Sequence, residues 1–193
     1  MEKSVLLPLL AAMILGACNG PKEKPAHELA ALPAKAVTVS VQRGDYLVNT
    51  IGCADCHSPK IMTEHGPEPD PGRGLSGHPA GAELSPVFDG PFEGHIVMNM
   101  DGTAFKGPWG PSFPANLTPH ETGIGTWTEE QFIRAIRKGK YKGLEGSRDL
   151  LPIMPWNFYK NLNDADLKSI FAYLKTLKPV DNVVRPPMPP AGA

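Results

Sequence analysis

Five residues, Cys53-Ala54-Asp55-Cys56-His57, constrain this chain more than any other stretch of it. Two thiols three positions apart lie on one face of a helical turn. From that face both reach the vinyl groups on one edge of a porphyrin and form thioethers. The next side chain, the His57 imidazole, projects under the ring toward iron, for which imidazole is a common ligand. The stretch therefore reads as C-x-x-C-H: covalent attachment of a c-type haem through Cys53 and Cys56, with His57 as the proximal iron ligand. The competing readings explain less. A buried structural Cys pair leaves His57 without a reason. A thioredoxin-like dithiol needs a surrounding βαβ pattern, which is not visible. A structural zinc site needs a further ligand set at metal-binding spacing, and there is no second Cys pair.

A haem also suits the composition. Twenty-two prolines and 20 glycines in 193 residues exceed average usage and predict a loop-rich chain with few long regular elements. A large apolar cofactor face can form the middle of a core that short helices alone do not fill. The formal charge of −1 offers no basic surface for nucleic acid.

The third cysteine has its own context. Lys3 precedes an apolar run, Val5 to Leu15, interrupted by Pro8 and too short for a permanent membrane span. It ends in Leu15-Gly16-Ala17-Cys18, which resembles a bacterial lipoprotein signal: an aliphatic residue, two small residues, then Cys. The resemblance implies cleavage before Cys18, lipid on Cys18 and stable membrane anchoring by several acyl chains. Residues 1–17 are then a signal peptide. Residues 18–40, rich in Pro, Ala, Lys and Glu without a core periodicity, read as a flexible tether. Both export and a membrane-attached, extracytoplasmic location follow from this reading.

Further along, Gln42 to Gly52 reads as a helix leading into the haem motif, with Gly44 able to admit a second helix. Residues 58–119 are full of Gly and Pro and read as an irregular insertion, with room for a short hairpin near Val87 to Val97. They contain His65, His78, His95, Met98 and Met100, each able in principle to bind iron. Thr128 to Lys138 carries a helix signature: a Thr128 cap with Gln131 as its capping-box partner, a Trp127–Phe132 staple, acids at the start, bases at the end and Gly139 as terminator. Leu151-Pro152-Ile153-Met154-Pro155-Trp156 is a stiff apolar segment in which Pro155 holds Met154 in an extended conformation. Such a segment suits a soft thioether that must be positioned as a distal haem ligand. A last helix runs from Asp164 to Leu177, capped by Asn163, with one apolar stripe. Residues 179–193 are a Pro-rich tail, read as extended and mobile. Trp109, Trp127 and Trp156 are unranked candidates for partners of the haem propionates.

This order of elements resembles a class I cytochrome c domain over 41–178. A closer similarity lies in Asn116-Leu117-Thr118-Pro119, Glu121-Thr122-Gly123-Ile124-Gly125, Trp127-Thr128 and Met154-Pro155-Trp156, which resemble the haem domains of cytochrome subunits of bacterial alcohol and gluconate dehydrogenases. Those subunits usually carry several C-x-x-C-H motifs; this chain has one. The resemblance implies a mainly α fold around one covalent haem c, with His57/Met154 ligation. It also implies single-electron transfer between redox partner proteins, a dehydrogenase or a terminal oxidase or cytochrome complex, without establishing which. The alternatives are an open-site, five-coordinate haem enzyme of peroxidase type or a gas sensor, in which the loop histidines would supply acid–base groups, and a fixed subunit of a larger oxidoreductase.

Overall fold

The computed structural model describes residues 37–89 and 94–190. Cys18, the signal peptide and all of the tether before residue 37 lie outside the described residues. The Cys53–His57 segment is held by a pair of crossed helices from the two ends of the domain. Helix α1 (Val41–Thr50) starts where the Ser40 hydroxyl accepts from Arg43 N–H. Helix α5 (Asp164–Leu174) starts where Asn163 Oδ1 accepts from Asp166 N–H at 2.8 Å. They cross at Gly44, as its small size suggested. A Cβ at Gly44 would fall inside the Ser169 carbonyl and 2.6 Å from Tyr173 Cβ. Arg43 locks the crossing with a 2.8 Å ion pair to Asp166.

Helix α2 (Cys53–His57) follows α1 after a left-handed Gly52. Helix α3 (Glu129–Lys138) has the cap the sequence signalled: Thr128 Oγ1 accepts from Gln131 N–H at 3.1 Å, and Gly139 closes the helix at φ 61°. The reciprocal half of the capping box is not made. Gln131 Nε2 donates instead to the Lys142 carbonyl at 2.8 Å, which pins the 3₁₀ turn Tyr141–Gly143 against α3. Helix α4 (Trp156–Tyr159) follows the Met-Pro segment and lays Trp156 on Gly139. Leu47, Val48, Phe132, Leu167, Ile170 and Leu174 belong to one buried cluster, and Phe132 meets Phe171 with ring centroids 5.3 Å apart.

The expectation of a mainly α chain with an irregular 58–119 has to be widened. The described residues of that segment contain five short strands: a ribbon of β1 (Lys60–Thr63) with β2 (Gly66–Pro69), and an antiparallel sheet in the order β3 (Val97–Met98), β4 (Phe105–Gly107), β5 (Gly110–Ser112). The hairpins sit on either side of the place predicted for one; of Val87 to Val97, only Val97 lies in a described strand. Proline obscured the ribbon. Strand β2 contains Pro67 and Pro69, which a two-stranded ribbon tolerates because both strands are edges. The tail is also corrected: residues 180–190 lack regular structure, as expected, but are hydrogen-bonded to the domain rather than free.

Candidate haem site

Cys53, Cys56, His57 and Met154 line one mostly apolar cavity of about 690 Å³, within the ~300–1,000 Å³ usual for cofactor sites. Four residues singled out from the sequence, three of them about a hundred positions from the fourth, thus converge on one space. The walls come from distant elements. Helix α2 supplies the thiols and imidazole, residues 113–117 pass beside His57, α3 and α5 contribute Phe132, Ile136 and Leu167, and the Met-Pro segment contributes Met154.

The imidazole is locked in one tautomer. His57 is buried, and its Nδ1 lies 2.7 Å from the Ala115 carbonyl. A carbonyl only accepts, so Nδ1 carries the proton and Nε2 keeps its lone pair. Burial holds the His57 pKa below its ordinary value, partly offset by the Ala115 hydrogen bond. The neutral ring with a bare Nε2 is the form that binds a metal. The backbone behind is equally tight. Gly77 N–H donates to the His57 carbonyl at 2.7 Å, and at φ +79° a Cβ on Gly77 would come within 2.6 Å of Ala115.

Burial pushes the Cys53 thiol up to about 11. Cys56 is raised as well, first by burial and then by the charge of Asp55. The two sulfurs are therefore neutral thiols at neutral pH. Tyr159 Oη donates to the Ile51 carbonyl at 2.5 Å and ties α4 to the turn just before Cys53. Lys60 Nζ donates to the carbonyls of Asp55 and Asp101, the latter at 2.7 Å, which joins the motif to the sheet segment.

The other sequence candidates do not join these four. His65 and His95 are exposed, and Met98 and Met100 are 60% and 77% exposed. His78 is buried behind the wall, its ring 4.8 Å from that of Phe113. Thr103 Oγ1 spends its proton on Asp101 at 2.7 Å, so it accepts from His78 Nδ1 at 3.0 Å. Among the described residues His57 is the one histidine lining the cavity. Of the tryptophans, Trp127 lines it, whereas Trp109 donates to Ser112 Oγ at 3.1 Å and Trp156 lies against Gly139.

The cytochrome c family model matches residues 41–178. The chain belongs to the cytochrome c family. Membership implies a covalent haem c and electron transfer, and the cavity fits that cofactor through its apolar lining, its paired thiols and its preset imidazole. Similar proteins include the fructose dehydrogenase cytochrome subunit of Gluconobacter japonicus, 34% identical over 77% of this chain and 24% of that protein. The gluconate 2-dehydrogenase cytochrome c subunit of Pantoea cypripedii is 29% identical over 69% of this chain and 22% of its own length. The alcohol dehydrogenase (quinone) cytochrome c subunit of Gluconobacter oxydans is 37% identical over 41% of this chain and 16% of its own length. The chain thus spans about a quarter or less of the curated relatives it matches. No helix among the described residues is long and apolar enough to cross a membrane.

This cytochrome c domain also explains a run that the sequence offered only as a likeness. Buried Asn116 and Thr118, with half-buried Thr122, form a polar knot that grips the C-terminal residues. Asn116 Oδ1 accepts from Thr118 N–H at 2.9 Å, while its Nδ2 donates to the Val180 carbonyl at 2.8 Å. Thr122 Oγ1 accepts from Asn182 N–H at 3.1 Å. Polar side chains clustered in a loop were the available signal; their partners lie 60 and 64 positions along the chain.

Proposed function

We propose that the chain is a monohaem, class I c-type cytochrome that passes single electrons between partners outside the cytoplasm. Cys53 and Cys56 hold the haem, His57 is the proximal iron ligand and Met154 the distal one. The observation that carries this reading is the shared cavity, with the His57 tautomer set by Ala115 so that Nε2 is left for iron. When bound, the haem supplies a ferric/ferrous couple. The chain's own residues do the rest. His57 donates through a nitrogen that burial keeps unprotonated. Met154, held between Ile153 and Pro155, presents a soft thioether that favours the reduced metal and raises the potential. The apolar walls exclude water. Were His57 and Met154 both to hold the iron, no open position would be left for a substrate. The open-site alternative would draw on the loop histidines, and among the described residues His57 is the one histidine lining the cavity.

A dehydrogenase is the proposed electron donor, supported by the names of the relatives. The acceptor is a terminal oxidase or another cytochrome. The lipid on Cys18 anchors the protein to a membrane, and the tether through residue 40 keeps it near both partners, raising their effective concentration. Replacement of the distal ligand tests the coordination. Met154→Ala in the haem-loaded protein abolishes the ferric Met–iron band and opens the iron to carbon monoxide. It lowers the potential by on the order of 0.1–0.2 V, a fraction of the ~0.8 V range that axial ligation spans. An unchanged spectrum and potential would refute the Met154 assignment.

A further inference from the structure

Residues 180–190 cross the domain as a strap held at both ends. Val180 N–H donates to Thr118 Oγ1 at 3.1 Å and its carbonyl accepts from Asn116 Nδ2 at 2.8 Å. Asn182 is buried and uses its whole amide: Oδ1 accepts from Ala80 N–H at 2.7 Å, and Nδ2 donates to the carbonyls of Ser76 and His78 at 2.6 and 2.9 Å. At the far end Met188 N–H donates to the Pro111 carbonyl at 3.0 Å. Between these anchors Val183, Val184, Arg185 and Pro187 line the same cavity as His57 and Met154. The strap is therefore a wall of the site.

We propose that Arg185 on this strap is the cation that pairs with a carboxylate of the bound tetrapyrrole, and that the strap holds it in place. The inference rests on the haem reading above. A haem brings two carboxylates to the edge of a mostly apolar cavity, and a carboxylate losing water there needs a charged partner. Four charged residues line the space: Glu121, Lys142, Arg148 and Arg185. Glu121 has the wrong sign. Lys142 and Arg148 both gather on Tyr141, at 5.6 and 4.0 Å from its ring centroid, and Arg148 also donates to the Asp149 carbonyl at 2.9 Å. Arg185 lies over Phe113 at 5.5 Å, and among the described residues no carboxylate or carbonyl accepts from it. Its guanidinium fork matches a carboxylate in two parallel hydrogen bonds. The platform is prearranged. Phe113 is backed by the buried His78 ring, and Pro186 restricts Arg185 to extended backbone.

A cation beside the iron couple favours the reduced state, so its removal must lower the potential. The test uses the full-length, haem-loaded protein, with the reduction potential followed from the carboxylate range to neutral pH. R185Q lowers the potential by about a threefold change in the oxidised-to-reduced ratio, ~30 mV at 59 mV per tenfold for one electron, and moves the carboxylate ionisation to higher pH. R185K keeps the charge and most of the wild-type potential. N182A, which loosens the anchor, shifts both readouts in the direction of R185Q. A wild-type potential and pH profile in R185Q with haem covalently bound, or the same shift from R148Q instead, would overturn the assignment. A wild-type protein without covalent haem would overturn the function proposed above, and this inference with it.

Discussion

A single carbonyl decides which face of His57 is available. The Ala115 oxygen takes the Nδ1 proton, and the other nitrogen is committed to the cavity before any cofactor enters. Tyr159 is the corresponding constraint on the thiol side, through its bond to the Ile51 carbonyl. Its phenol is pushed up to about 12, chiefly by burial and to a lesser extent by the nearby thiol sulfurs. A raised folded-state pKa means that this contribution to stability is complete below pH 10 and is lost as pH rises through 12. Tyr159→Phe therefore costs roughly 1 kcal/mol in denaturant unfolding at neutral pH. The gap to wild type narrows across the alkaline window; a gap that stays constant there would place the phenol's titration elsewhere. That Cys53, Cys56 and His57 share one site was legible because the three lie within five adjacent residues, and the structure brings them to one cavity. Ala115 was not, because a backbone acceptor leaves no trace in side-chain identity.

The crossing of α1 and α5 is the element on which the haem segment hangs, since α2 follows α1 directly. Gly44 is where the two backbones meet. Gly44→Ala overpacks this contact and costs about 1–3 kcal/mol, whereas Gln42→Ala on the exposed side stays within about 0.5 kcal/mol of wild type. Urea unfolding of both variants measures this, and equal midpoints would contradict the crossing. Helices α3 and α5 were legible because caps and apolar stripes are local signals; Thr128, Gly139 and Asn163 act as their positions suggested. The strands were not. Three are only two or three residues long, and β2 contains two prolines, so neither periodicity nor propensity marks them. The Gln131 side chain was misread for a similar reason, as its partner is the Lys142 carbonyl in the next turn.

At the scale of the whole molecule, the C-terminal segment is built into the domain that precedes it. The Pro-rich C-terminal segment had the composition of a mobile tail. Its order comes from Asn116, Thr118, Thr122 and the 76–80 backbone, partners too distant for a local reading. The N-terminal leader carries the proposed lipid site. Cys18→Ser releases the protein from membranes into the soluble extracytoplasmic fraction with its absorption spectrum intact; continued membrane retention would remove the lipid from the account. The central claim is a covalent haem whose iron is ligated on both sides. The most direct measurement is the absorption spectrum of the exported, haem-loaded protein in both oxidation states, with and without carbon monoxide. The proposed His57/Met154 coordination predicts a covalent c-type spectrum with a ferric Met–iron band and no response to carbon monoxide. A high-spin spectrum that shifts when the gas is added would contradict it and identify an open iron site.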